Sequence, residues 1–478
     1  MSNVQIKSNN TLYYLIPSVV MGALSIGSIS IYTHIIPIED YGALAICIAY
    51  SLFVTSIANF GLGIGYERDF FEGKNEIKKK AGLFYSIILF VFINLCFFGV
   101  LTYFFGEIIT SFLIGEAKYS SLLLVSFLST SITTIKNFFL TYLKNSEEGK
   151  SFMWFNIDES VIGLMLSLIM VLYFKIGILG IILGQFIAGL IVLLLVGRKF
   201  ILKLPFYLAL PDLKKSLRTS LFLIPKILFG TVASEADKII LGKINNSGGV
   251  GYYNIAQKFS YPITMFMVAL QSKWSPQVYM FMFNGGVDAG TKIGNYLTPY
   301  LYYSIAVSVF VVSFAEDACR ILLPSSYIMV PELIYIFTIL NSIRFFTMPP
   351  QLIFSKKTGL LSFITIRSIF FSLVIAYPMV IYFGVRGAAW GFLMGTLINA
   401  IIHFRISQHH YRINWEYLKI SLILGLFLIS TAAAMLLAYF EIQYFFRLGL
   451  KMFLLGSFIF VGYRLKYVGI SNMKRILQ

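Results

Sequence analysis

The sequence predicts an all-α polytopic membrane protein with about 14 transmembrane helices. Its mean hydropathy is +0.81, and 58% of its 478 residues are hydrophobic while 12% are charged. Soluble domains typically carry about 25% charged residues, so this composition excludes a water-soluble globule. The apolar runs are continuous and lack the alternation of a barrel wall, which favours helices over strands as the spanning elements.

Each predicted span is an apolar run near the ~20 residues that a helix needs to cross the hydrocarbon core. The spans are residues 12–35, 41–66, 81–105, 119–143, 151–174, 176–197, 218–242, 251–272, 296–315, 331–354, 360–383, 388–404, 418–440 and 447–463.

An internal repeat organises these spans. Three landmarks of the first half recur in the second half, in the same order, at offsets of 208, 210 and 211 residues. They are Leu15-Ile16-Pro17 with Leu223-Ile224-Pro225, Tyr41-Gly42 with the inverted pair Gly251-Tyr252, and Gly180 and Gly184 with Gly391 and Gly395. The repeat predicts two parallel six-helix lobes around a central cavity, with two extra C-terminal helices outside the repeat.

This pattern divides the chain into four segments. Residues 1–197 are the predicted N-terminal lobe and residues 218–411 the C-terminal lobe. Residues 198–217 form a basic cytoplasmic linker, expected to lie along the inner surface as an amphipathic segment. Residues 412–478 hold the extra pair of helices and a cytoplasmic tail. No predicted loop is long enough for a soluble catalytic domain.

The formal charge of +17 is unevenly distributed. Counted together with the first turns of the adjoining spans, the loops on the side of the N-terminus contain 25 of the 38 Lys and Arg residues and the opposite loops contain 7. The positive-inside rule therefore predicts that both termini are cytoplasmic. The bias indicates a topology signal and contact with anionic lipid, and it argues against nucleic-acid binding.

The cations that lie inside predicted spans include Lys136, Lys226, Lys258, Arg344 and Arg367. Each costs about 3 kcal/mol if it faces lipid, so most should face a polar interior. One interpretation is a cationic cavity that binds a phosphate-bearing substrate. The alternative is that each cation reaches an interface or pairs with Glu159, Glu235 or Asp237.

Helical spacing supports a polar interior. Ser126, Ser129, Thr133 and Lys136 share one face of the fourth span. Asn341 and Arg344 share a face of the tenth span, and Asn254, Lys258 and Tyr261 share a face of the eighth. The sequence contains no His-Glu-x-x-His, paired Cys-x-x-Cys or nucleotide-binding loop, which predicts that the chain is not an enzyme and uses no metal or cofactor.

Three short motifs resemble those of a known family. They are Pro37-Ile38-Glu39-Asp40-Tyr41-Gly42, the passage from Glu235-Ala236-Asp237-Lys238 through Leu241-Gly242 to Gly251-Tyr252, and Trp274-Ser275-Pro276. Together they resemble bacterial polysaccharide flippases of the multidrug/oligosaccharidyl-lipid/polysaccharide exporter superfamily. The resemblance extends from the first span to about residue 410.

The resemblance implies a function and a place. Such proteins carry undecaprenyl-pyrophosphate-linked oligosaccharide repeat units across the bacterial cytoplasmic membrane by alternating access, for O-antigen or capsule synthesis. A polysaccharide polymerase and a chain-length regulator are the implied partners. In this interpretation the five cations bind substrate, while Glu235, Asp237 and Glu159 are candidates for ion coupling or gating.

Three alternatives stay open. The two extra helices are reminiscent of lipid II flippases of the same superfamily. A multidrug antiporter is disfavoured because a positive cavity repels cationic drugs. A membrane polymerase, a different class, would need polar catalytic groups on outer loops, and the outer loops here are short.

Overall fold

The structure is a computed structural model that describes residues 9–63, 66, 70, 77–221, 224–284, 286–355, 357–440 and 443–467. Within these residues the chain is helical and contains no strand. Nine of the described helices are long and apolar enough to cross a membrane. The predicted all-α membrane fold is thereby confirmed.

The chain forms two compact units, Met1–Asn254 and Ile255–Gln478. The first contains seven helices and the start of an eighth: α1 Asn9–Thr33, α2 Ile38–Ala58, α3 Ile77–Leu113, α4 Ser120–Asn145, α5 Gly149–Leu168, α6 Ile178–Lys203, α7 Leu210–Ser220 and α8 Ile224–Asn284. A π-helical turn, Ile169–Tyr173, extends α5.

The second unit contains the end of α8 and six further helices: α9 Ala289–Leu322, α10 Val330–Ile343, α11 Gln351–Phe354, α12 Thr358–His410, α13 Tyr417–Tyr439 and α14 Tyr444–Arg464. The last two helices pack on each other and on α9. They correspond to the predicted extra pair.

Two long helices each contain two predicted spans. Helix α12 breaks at Gly384, where φ is 56° and ψ is −131°, a conformation that glycine adopts without a Cβ penalty. Helix α8 is helical throughout, yet a Cβ on Gly242 would lie 3.5 Å from Val250 Cγ2, and Tyr253 hydrogen-bonds Asp237. In a straight helix these pairs would be about 12 Å and 24 Å apart, so α8 folds back between them.

Glycines allow the closest helix contacts, as predicted for Gly180, Gly184, Gly391 and Gly395. A Cβ on Gly184 of α6 would overlap the backbone of Ser167 on α5. In the second unit, a Cβ on Gly391 would lie 2.6 Å from Ala376 Cα, on the other side of the break in α12.

The start of α2 is fixed by its sequence. Pro37 precedes the first turn, where Glu39 and Asp40 suit the positive end of the helix dipole. The Tyr119 hydroxyl donates a 2.7 Å hydrogen bond to Asp40 Oδ1. The Pro37-to-Gly42 motif is thus a helix N-terminus tied to the start of α4.

The linker region contains the short helix α7. Leu213 and Ser216 are buried, and Asp212 and Arg218 lie in its first and last turns. The predicted amphipathic character is present in this helix. The boundary between the two compact units falls after Asn254 in the sequence and not near residue 218. The part of α8 up to Asn254 therefore packs with the first unit. The division into lobes by the repeat stays a prediction.

Candidate functional site within the membrane-spanning helices

Lys136 has a buried acidic partner. It lies on α4, is 4% exposed, and forms an ion pair with Glu159 on α5. Gly189 on α6 leaves space for this pair, because a Cβ there would lie 3.5 Å from Glu159 Oε1 and 3.1 Å from Ile132 Cγ2. The structure therefore shows one of the ion pairs that sequence analysis offered as the alternative to a bare cavity cation.

The predicted polar face of α4 is buried next to this pair. Ser126 and Ser129 are both buried, and the Thr133 hydroxyl donates to the Ser129 carbonyl at 3.1 Å. Ser126 Oγ has no hydrogen-bond partner among the described residues. The face runs along the interior of the first unit, where an unsatisfied hydroxyl in low dielectric is unfavourable.

The acids of α8 lie beside a cation that sequence analysis did not select. Lys238 Nζ is 2.8 Å from Glu235 Oε2, one helical turn away. Asp237 is 6% exposed, and its Oδ1 accepts the Lys238 backbone N–H at 2.8 Å. Glu235 and Asp237 are therefore held within α8 and its folded-back part. The Lys226 side chain lies outside the described residues.

The cations of the second unit lie in three environments. Lys258 on α8 is half-buried, and Arg344 is exposed in a 3-10 turn at the end of α10. Arg367 on α12 is half-buried, and its Nη2 has no hydrogen-bond partner among the described residues. It lies close enough to His403 for their charges to interact.

Asn341 and Arg344, which were predicted to share a helix face, differ in burial. Asn341 is buried and donates to the Ser260 carbonyl at 3.4 Å, whereas Arg344 is exposed. The third member of the Lys258 face, Tyr261, is 57% exposed. The structure thus places Asn341 in the helix interface and Arg344 at the exposed end of α10.

Sequence reasoning missed a second charge network. Glu316 on α9 lies 2.7 Å from Arg447 Nη1, and 3.3 Å from Lys451 Nζ, both on α14. Lys451 is also 2.8 Å from Asp317 Oδ2. The spacing of Arg447 and Lys451, four residues apart in the last apolar span, was the signal that could have revealed them.

Comparison with known proteins gives the family. A family profile described as "Polysaccharide biosynthesis protein" matches residues 8–277, which is more than half of the 478. The chain belongs to this polysaccharide biosynthesis protein family. The resemblance inferred from the three motifs is confirmed. No curated protein sequence matches the chain.

Solved structures show the same fold at low sequence identity. A lipid II flippase MurJ in an inward closed conformation is 14% identical and has a TM-score of 0.72. The match covers 95% of this chain and 99% of the MurJ chain. An inward-facing multidrug resistance MATE family transporter of the MOP superfamily is 15% identical, with a TM-score of 0.62. This match covers 84% of this chain and 94% of the transporter chain. A MOP superfamily transporter from Pyrococcus furiosus, described as having a binding pocket of reverse polarity, is 14% identical with a TM-score of 0.57, covering 84% and 95%.

These matches establish the fold of a multi-pass membrane transporter. The flippase covers more of the chain than the two other transporters do. Fold alone does not assign a substrate.

Proposed function

We propose that the protein is a flippase that carries undecaprenyl-pyrophosphate-linked oligosaccharide repeat units from the inner to the outer leaflet of the bacterial cytoplasmic membrane. The supporting observation is membership of the polysaccharide biosynthesis family over residues 8–277, in a chain with the fold of membrane transporters. O-antigen or another surface polysaccharide is the proposed product. The proposed orientation places both termini in the cytoplasm.

The cations supply the proposed attraction for the pyrophosphate. Lys136, Lys226, Lys258, Arg344 and Arg367 remain the proposed substrate-binding residues. Lys136 already has Glu159 as its partner, so a phosphate would replace one anionic acceptor by another without leaving the ammonium bare. Glu159 then acts as a competing ligand that releases Lys136 when substrate arrives.

The acids have a proposed second role. Glu235 and Asp237 are adjacent to Lys238 on α8, beside the fold-back of that helix. A change of charge at this point would alter contacts on both sides of the fold-back, which makes these acids, with Glu159, the proposed groups for ion coupling or gating. A polymerase and a chain-length regulator acting on the outer face are the proposed partners.

The test is the leaflet position of lipid-linked oligosaccharide in cells lacking the protein. We expect single repeat units to accumulate on the cytoplasmic face, protected from a membrane-impermeant oxidant added to intact cells, and plasmid expression to restore their exposure. Unpolymerised units on the outer face would instead indicate a polymerase. No accumulation together with drug hypersensitivity would indicate a multidrug exporter.

A lipid II flippase is the second candidate, favoured by the 95% coverage of the MurJ-like fold. It is distinguished by complementation. If expression of this chain sustains growth of cells depleted of their lipid II flippase, the substrate is the peptidoglycan precursor. Loss of surface polysaccharide with normal peptidoglycan in the deletion strain supports the repeat-unit flippase.

A further inference from the structure

The second unit contains a cavity of about 1010 Å³, and its described lining residues do not include Lys258, Arg344 or Arg367. Three arginines from different parts of the unit line it: Arg320 at the end of α9, Arg386 just after the break at Gly384, and Arg447 in the first turn of α14. Glu316, Glu332 and Tyr335 also line it. The extra helix α14 therefore completes the wall of this cavity.

Among the residues that the structure describes, cations outnumber acids around the cavity. Glu316 is shared by Arg447 at 2.7 Å, Arg320 at 2.8 Å and Lys451 at 3.3 Å. Arg386 Nε lies 2.9 Å from Glu332 Oε2, and Lys451 also contacts Asp317. These ion pairs join four cations to three acids. Arg447 additionally lies at a helix N-terminus, which favours a negative charge. The arrangement therefore has room for a further anion.

Two buried polar groups line the cavity without a hydrogen-bond partner in the described part of the chain. Arg447 is 6% exposed and Tyr335 is 1% exposed. Arg447 Nε and the Tyr335 hydroxyl have no hydrogen-bond partner among the described residues. Burying such groups unsatisfied is costly, and an anion with several acceptor oxygens would satisfy both. Arginine presents a planar fork of N–H groups that suits phosphate oxygens.

The apolar part of the lining indicates an amphiphile rather than a small soluble anion. Leu323, Ile328, Met435 and Leu436 line the same cavity, and Ile328 is 82% exposed while Leu436 is 56% exposed. Leu436 lies on α13, within an apolar stretch long enough to cross a membrane. A ligand with a charged head and an apolar chain would contact both kinds of surface.

We propose that this cavity binds the phosphate group of a lipid headgroup, with Arg447, Arg320 and Arg386 as cationic ligands and Tyr335 as a hydrogen-bond donor. With the cytoplasmic N-terminus proposed above, the end of α9 and the start of α14 lie at the outer side of the membrane. The lipid is either a polyprenyl-phosphate carrier or a resident anionic phospholipid. The first assignment rests on the proposed function, and the second is independent of it.

The experiment measures lipid binding by the purified full-length protein, using undecaprenyl phosphate, phosphatidylglycerol and the phosphate-free lipid diacylglycerol as probes. Arg447→Gln and Tyr335→Phe are the test variants. Arg464→Gln, an exposed arginine near the other end of α14, is the matched control. Tyr335→Phe removes a hydroxyl and leaves every ion pair intact, so it reports on binding even if Arg447→Gln fails to fold.

We expect about tenfold weaker binding of a phosphate-bearing lipid in both test variants, with Arg464→Gln like wild type and diacylglycerol binding weak throughout. If the test variants weaken only the binding of undecaprenyl phosphate, the ligand is the carrier lipid. If they weaken only the binding of phosphatidylglycerol, the ligand is a phospholipid. Unchanged binding of both lipids in Tyr335→Phe, or equally strong binding of diacylglycerol by wild type, overturns the proposal. This experiment measures binding and no transport, so its outcome is distinguishable from failure of the proposed flippase function.

Discussion

Gly42 at the start of α2 and Gly251 on α8 pack backbone against backbone. A Cβ on Gly42 would lie 2.9 Å from Gly251 N and would overlap the Ser247 carbonyl, and a Cβ on Gly251 would lie 2.5 Å from the Ile38 carbonyl oxygen. The repeated Tyr-Gly and Gly-Tyr pairs are thus a contact between the start of α2 and the folded-back part of α8. We propose that this contact is a point of movement in the proposed transport cycle.

The first prediction concerns this contact. We expect Gly42→Ala to reduce transport strongly, because even one methyl group forces α2 away from Ser247 and costs about 1–3 kcal/mol. Gly27→Ala on α1 is the matched control, since nothing lies within 4 Å of a Cβ there. Surface polysaccharide per molecule of membrane-inserted protein is the measurement. Equal transport by the two variants would show that the close contact is dispensable.

The second prediction separates the role of Lys136 in the ion pair with Glu159 from its proposed role in substrate binding. Glu159→Gln leaves a buried ammonium without its acid and should destabilise the protein by about 3 kcal/mol, while Lys136→Met/Glu159→Gln should recover most of that loss. Thermal unfolding in detergent measures both effects. If Lys136 binds substrate, the double variant is stable yet inactive in transport. A double variant with wild-type transport would remove Lys136 from the proposed substrate site.

The third prediction tests the fold-back in α8. Tyr253 is 1% exposed and hydrogen-bonds Asp237. Tyr253→Phe should therefore cost about 1–3 kcal/mol, since it leaves a buried carboxyl with one partner fewer. Tyr261→Phe, on the same helix but 57% exposed, should change stability little. Indistinguishable melting temperatures for the two variants would argue against the contact.

The fourth prediction is a pH dependence at the ends of α5 and α6. Burial raises the pKa of Glu148, but hydrogen bonds from Lys199 at 2.7 Å and Lys203 at 3.3 Å outweigh burial and hold the pKa below its ordinary value. A lowered carboxyl pKa stabilises the fold above the unfolded pKa, and this stability is lost as the pH falls through the folded value. Glu148 is about a third exposed, so the effect should be below about 1 kcal/mol.

The measurement is unfolding of wild type and Glu148→Gln between pH 7 and about pH 3. The wild type should be slightly more stable at pH 7, and the two curves should converge at acid pH. A constant difference across the whole range would mean that ionisation of Glu148 does not contribute.

Continuous apolarity was enough to predict the fold, because a helix in lipid must satisfy its own backbone. The break at Gly384 falls between the predicted spans 360–383 and 388–404, where glycine marks the end of an apolar run. Periodicity also placed Ser126 and Lys136 on one buried face of α4.

Partners across helices could not be predicted in the same way. Periodicity tells which face a residue occupies but not which helix packs on that face, so Glu159 could be offered only as one of three acids for Lys136. Glu316 and Arg447 are 131 residues apart, and Glu316 lies just beyond the predicted end of its span. Neither was selected, although together they form the better-defined charge network of the second unit.

The most direct test of the flippase assignment is transport by purified protein in liposomes that contain lipid-linked oligosaccharide in both leaflets. A membrane-impermeant enzyme that cleaves the saccharide is added outside. We predict that the protected fraction disappears with wild-type protein and persists in protein-free liposomes and with the stable double variant Lys136→Met/Glu159→Gln. Persistence of the protected fraction with folded wild-type protein would contradict the account.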